Sequence, residues 1–215
     1  MIYKQKYRLI VTRLAIWSLL TLLSSASQAG SATLDLTFLK RPPRIGIFYA
    51  VESEASGKNA EIDQIAKKFT STINVADTTG ELVFDNSDSV DHNIYANDTR
   101  NQVQFDIGLM SPGHKVNIPL NWKEDTLVRI GCKIHPKMRT YVANINSASY
   151  SILNFKDKNP KHTFTLDNIG SHVKELAVLF PGYDLIKVTI NSGQSSTVTV
   201  TKKGKEKASA TISRQ

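Results

Sequence analysis

Thr126-Leu-Val-Arg-Ile-Gly-Cys132-Lys133-Ile134-His135-Pro136-Lys137-Met138 decides both the fold and the chemistry of this chain. Thr126, Val128, Ile130 and Cys132 alternate with Leu127, Arg129 and Gly131, a period of two that predicts a strand. Residues 141–145 (Tyr-Val-Ala-Asn-Ile) predict the next strand, so only a short loop joins them. Cys132 closes the first strand, and His135 and Met138 follow at the spacing C-x2-H-x2-M. Pro136 fixes one φ angle inside that loop and removes a donor, which stiffens it.

A thiolate, an imidazole and a thioether are soft and borderline donors, and such a set is read as selecting copper over zinc, calcium or magnesium. A blue-copper centre needs a second imidazole, giving two nitrogens and a sulfur in a trigonal set with a weak axial thioether. His92 supplies the candidate, within Phe84-Asp-Asn-Ser-Asp-Ser-Val-Asp-His92-Asn93. The expected metal ligands are therefore His92, Cys132, His135 and Met138, holding one type 1 copper per chain.

These residues resemble the cupredoxin pattern, and the short C-x2-H-x2-M loop is similar to that of amicyanin. F-D-N-S-D…D-H-N from Phe84 to Asn93, F-D-I-G from Phe105 to Gly108, Pro112-Gly113 and G-C-K-I-H-P-K-M follow in the family's order. More narrowly, the chain resembles secreted plastocyanin-like proteins labelled methylamine utilization protein, with which it shares D-x-x-x-K-x-F from Asp63 to Phe69. The resemblance covers roughly residues 34–200 and is strongest over 84–145. It implies that Asn93 ties the two ligand loops together, and such outer contacts orient ligands.

The first 29 residues read as an export signal. Lys4, Lys6, Arg8 and Arg13 precede an apolar run over 14–23, and Ser27-Gln28-Ala29 offers small residues for cleavage. A periplasmic or secreted location follows, without stable membrane insertion after cleavage. The whole chain carries +8, and removal of a segment with four basic and no acidic residues leaves +4. That charge is too mild and unclustered for nucleic-acid binding. A secreted chain normally pairs its cysteines, yet this one has a single Cys, and metal ligation gives a reason to keep it.

The remainder, many short strands between turn signals, predicts an all-β antiparallel sandwich. The resemblance implies a cupredoxin-like Greek-key sandwich over 30–147, and residues 148–203, through K-D-K-N-P (156–160) and T-F-T-L-D-N-I (163–169), resemble a small carboxypeptidase-regulatory-like β-sandwich. Residues 204–215 read as a polar basic tail. Residues 61–69 place Ile62, Ile65, Ala66 and Phe69 at helical spacing, and residues 93–103 read as a polar surface run. Met110 is expected in the core, His114 at the surface, Pro119 near a sheet edge, and His162 and His172 in ordinary structural roles.

With four protein donors no position is left for a substrate, so the reading is not an enzyme but a one-electron carrier between redox partners. Lys133, Lys137 and Arg139 around the loop point to a partner with an acidic docking face. The alternatives are a copper carrier or buffer, and a metal-free cupredoxin scaffold for protein contacts.

Overall fold

The computed structural model describes residues 29–215, so the expected export signal lies, apart from Ala29, outside the described residues. Those residues form seventeen strands and no helix. In chain order they are β1 (Gly30–Phe38), β2 (Ile45–Val51), β3 (Ala60–Ile65), β4 (Lys68–Phe69), β5 (Ile73–Ala76) and β6 (Glu81–Asn86). Then come β7 (His92–Asp98), β8 (Val103–Met110), β9 (Lys115–Pro119), β10 (Thr126–Cys132), β11 (Arg139–Asn144) and β12 (Tyr150–Asn154). The last are β13 (Lys161–Ile169), β14 (Glu175–Leu179), β15 (Ile186–Thr189), β16 (Ser195–Lys202) and β17 (Lys205–Arg214).

They make four sheets, ordered β13-β1-β17-β16, β12-β2-β14-β15, β5-β11-β10-β7-β8 and β4-β3-β6-β9. Three apolar layers lie between them. Leu34 and Leu36 of β1 meet Phe48 and Ala50 of β2 in the first. Ile47 and Tyr49 of β2 meet Val75, Leu127 and Ala143 in the second. Ile94, Val128, Ile130 and Cys132 meet Ile62, Leu82 and Phe84 in the third. The protein is thus a stack of two sandwiches that share a hydrophobic seam. A sheet covered on both faces reads as an unbroken apolar run, and β2 (Ile-Gly-Ile-Phe-Tyr-Ala-Val) is buried along nearly all its length.

The third and fourth sheets pack face to face as the first sandwich. Its residues span 60–144, and the inward face of β10 was legible from period-two alternation over 126–132. Met110 is fully buried, His114 is exposed, and Pro119 sits on the edge strand β9, where a missing N–H harms no ladder.

Four expectations are corrected. The domain boundaries placed β1 and β2 in the first sandwich, but β1 pairs with β13 and β17, and β2 with β12 and β14. The second sandwich is therefore assembled from both ends of the chain. Residues 204–215 are not a tail. They form β17, which lies between β1 and β16 and buries Ala208, Ala210 and Ile212. Residues 61–69 are not a helix but the β3–β4 hairpin, closed by Ala66 and Lys67 with φ of 51° and 56°. Two consecutive positive φ values are what a two-residue hairpin turn of type I′ requires. Likewise 93–103 is not a surface run. β7 fills most of it and buries Ile94 and Ala96, with Asn93 and Tyr95 half-buried between them and Asn97 exposed.

Candidate metal centre

His92 opens β7 and Cys132 ends the neighbouring strand β10, where Cys132 pairs with Ile94. His135 stands on the six-residue loop that leads into β11. The loop is turned by Met138 N–H donating to the His135 carbonyl at 2.9 Å. Each side chain is aimed by its place in the alternation: Cys132 and His92 point into the sandwich, 2% and 0% exposed. At Gly131, a Cβ would stand only 3.0 Å from the Tyr95 ring, so the strand can carry no side chain there without moving Tyr95.

Three donor atoms converge. Cys132 Sγ lies 3.8 Å from His92 Nδ1 and 3.7 Å from His135 Nδ1, and the two imidazole nitrogens are 3.2 Å apart. Metal–imidazole and metal–thiolate bonds of ~2.0 and ~2.3 Å at trigonal angles give N···N edges of ~3.4 Å and N···S edges of ~3.7 Å. The triangle therefore has the size that one ion of this kind needs. Met138 is 3% exposed and belongs to the same apolar cluster as Cys132. Burial, then the proximity of His92 and Lys67, holds the His135 imidazole below its usual pKa, so its ring favours the neutral form that can donate a lone pair.

The two ligand loops are tied by backbone. Asn93 N–H points at Cys132 Sγ at 3.4 Å, and the Asn93 carbonyl accepts from Lys133 N–H at 2.8 Å. The tie expected of Asn93 is thus made by its main chain; its side-chain Oδ1 is buried without a hydrogen-bond partner among the described residues.

One element of the site carried no role in the sequence reading. Asp88 Oδ2 lies 3.1 Å from His92 Nε2 and accepts Lys67 N–H at 2.6 Å. Asp63, first residue of the D-x-x-x-K-x-F motif, accepts Ser87 N–H at 3.1 Å on the same loop. The hairpin therefore clamps the segment that delivers His92. Lys67 N–H first, with the further hydrogen bonds from Ser89 N–H and His92, keeps the Asp88 carboxyl below the usual carboxylate range. The sequence signal available was a carboxylate four residues before the histidine.

A bulge lies beside the site. The β7–β8 register shifts between Asn93 and Tyr95, and the extra residue on β8 is accommodated by Gly108 at φ 76°. Met110 then stands opposite His92. Lys133, expected in the cationic ring, forms an ion pair with Asp106. His162 packs among Phe38, Phe155 and Phe164, and His172 is exposed, so neither belongs to the centre.

No family model matches the chain, and no curated protein matches it. Among solved structures, a purple cupredoxin from Nitrosopumilus maritimus is 20% identical over 40% of this chain and 98% of its own, with a TM-score of 0.34. A reduced variant of amicyanin is 16% identical over 51% of this chain and 98% of its own, with a TM-score of 0.36. A Cu-containing nitrite reductase from Thermus scotoductus SA-01 is 15% identical over 39% of this chain and 21% of its own, with a TM-score of 0.35. The candidate site of the present chain rests on its own geometry: two imidazole nitrogens and one cysteine sulfur, positioned from two adjacent strand ends and one short loop around the volume of a single ion.

Proposed function

We propose that this protein is a periplasmic or secreted type 1 copper protein that carries single electrons between redox partners. The observation that carries this reading is the convergence of His92, Cys132 and His135, whose ligand atoms all lie within 4.8 Å of one another. Met138 would supply a weak thioether donor to the ion in this proposal. A thiolate and two imidazoles in a trigonal set, with a weak thioether, suit both Cu(I) and Cu(II), which is the chemistry the ion supplies when bound. The chain's own part is to hold the donors still. Cys132 and His92 are fixed by strand pairing, and the loop is held by the hydrogen bond of Met138 N–H and the fixed φ of Pro136. With these four donors in place, no open position remains for a substrate, which favours a carrier over an enzyme.

His135 is the only partly exposed imidazole of the three-donor cluster, and it serves as the port for the electron. Ile134 beside it is 49% exposed, Ile65 of the clamping hairpin 49%, and Leu109, opposite Asn93, 61%. These give an apolar contact area at the metal end. Lys67, Lys137 and Arg139 add positive charge at its rim, so the partner in this proposal carries an acidic docking face. The rate of electron transfer to such a partner is expected to fall about tenfold or more between low and moderate salt. A rate that does not change with salt removes the acidic face from the proposal.

The central test is a visible spectrum of residues 30–215 titrated with Cu(II), beside Cys132→Ser. An intense thiolate-to-copper band that saturates at one copper per chain and is lost in Cys132→Ser is the expected result. Tight binding without the band makes the protein a copper carrier or buffer. No binding leaves a cupredoxin-like scaffold that acts through protein contacts.

A further inference from the structure

We propose that Asp88 is a positioning residue of the metal centre: its carboxylate sets the His92 ring with Nδ1 toward the ion and adds a fixed negative charge that favours Cu(II) over Cu(I). The inference deepens the copper reading above and rests on it. His92 Nδ1 faces Cys132 and His135, and the opposite ring nitrogen, Nε2, faces Asp88 Oδ2 at 3.1 Å. A carboxylate can only accept, so Nε2 carries the hydrogen and Nδ1 keeps its lone pair. A neutral acceptor such as a backbone carbonyl would orient the ring equally well. A carboxylate adds charge, and histidine ligands commonly gain basicity in this way.

Asp88 is itself fixed from three sides. Its Oδ2 accepts Lys67 N–H at 2.6 Å, its Oδ1 accepts Ser89 N–H at 2.8 Å, and its own N–H donates to Asn86 Oδ1 at 3.1 Å. The Lys67 donor comes from a turn whose two central residues, Ala66 and Lys67, are both left-handed. That conformation is strained for a non-glycine residue, so the turn persists because its surroundings hold it. Among the described residues, His92 is the one side chain with which Asp88 forms an ion pair, and no lysine or arginine neutralises it. The Asp88 side chain is 8% exposed and His92 0%, so little water screens the charge from the centre.

Asp88→Asn keeps the shape and an acceptor but removes the charge; Asp88→Ala removes both. In Asp88→Asn, Cu(II) binding is expected to weaken about 10–100-fold. Cu(I) binding changes less, so the ratio of Cu(II) to Cu(I) affinity falls about tenfold, which raises a one-electron potential by about 59 mV. The second readout needs no copper. In the metal-free native protein, nitrogen NMR is expected to find His92 as the Nε2–H tautomer, and in Asp88→Ala as a mixture. Zn(II) affinity, free of any redox change, is expected to fall in both variants.

An unchanged affinity ratio in Asp88→Asn overturns the charge effect, and a native His92 with its proton on Nδ1 overturns the positioning role. Failure of the copper reading looks different: native protein lacks the thiolate-to-copper band. The tautomer measurement on native, metal-free protein then still decides whether Asp88 sets the ring.

Discussion

Removal of residues 204–215 is expected to unfold the second sandwich. β17 is an inner strand that pairs with β1 along Phe38 to Ala32 and with β16 along its other edge. Its Ala208, Ala210 and Ile212 are fully buried against Phe48 and Leu176. Arg214, 6% exposed, donates to the carbonyls of Gly170, Val173 and Ile190 and so closes the loops at that end. Burying one isoleucine and two alanines and making two ladders, at about 1 kcal/mol net per hydrogen bond, sums to about 10 kcal/mol. That is comparable to the whole stability of a domain. β16 loses the one strand it pairs with, and β1 loses half of its pairing. Thermal unfolding and near-UV circular dichroism of residues 30–203 check this. A truncated protein with the thermal midpoint of the full chain would falsify it.

Asp125→Ala is expected to cost about 3 kcal/mol, because it leaves two groups unpaired at the seam between the sandwiches. Asp125 Oδ1 accepts the Tyr49 hydroxyl at 2.5 Å, and Oδ2 meets Lys187 Nζ at 2.6 Å. Tyr49 and Lys187 belong to the second sandwich and Asp125 to the turn before β10, so one carboxylate joins the two halves. Its side chain is 12% exposed and that of Lys187 31%, less screened than a surface pair. Asp125 has φ 57°, where alanine is strained, so Asp125→Asn is the control that separates backbone strain from loss of charge. Tyr49→Phe removes a donor while Asp125 keeps Lys187, and costs about 1 kcal/mol. The double variant should fall short of the sum, because the two changes touch one interaction. Denaturant unfolding of the four proteins measures this, and strict additivity would break the proposed link.

The same cluster gives a pH window. Burial, with Asp125 adding to it, raises the Tyr49 hydroxyl far above its usual range. Burial lowers the Lys187 ammonium, but its hydrogen bond to Asp125 and that charge outweigh burial and raise it. A group raised on folding contributes stability that is complete below its unfolded pKa and is lost as pH rises toward its folded value. Both contributions are therefore intact at neutral pH and decline above about pH 10. The loss should be smaller in Asp125→Ala, which has already given up both interactions.

Local pattern carried a large part of this molecule. Period-two alternation over 126–132 placed Cys132 on the core-facing side of a strand, and the structure has it there, two residues after Ile130 and 2% exposed. The donor types and their spacing put His135 and Met138 on one loop, and the single cysteine and an upstream histidine were enough to nominate His92. These features lie within the reach of a strand and its neighbours, where alternation reports which face is buried.

Other features were decided by the tertiary structure. Helical spacing in 61–69 lost to a hairpin because Ile62 and Gln64 are buried on one face of β3, and the pairing of β3 with β6 outweighs the period of Ile65, Ala66 and Phe69. Nothing in Ala66-Lys67 marks a left-handed turn, since neither is Gly or Asn, so the donor it offers to Asp88 was invisible. Asp88 could be read as one more polar loop residue until the fold set it against His92 Nε2. The end of the chain looked like a tail because the basic run over 202–207 sits among Gly, Ser and Ala. Alanine is small enough to be read as neutral, yet in β17 it is the residue that fits between two packed sheets. Pairing of Ala32 with Arg214 joins residues from opposite ends of the chain. A sequence fixes which side of a strand is apolar by local alternation, but the partner across such a distance is chosen by closure of the whole core, and that choice exists only in the folded protein.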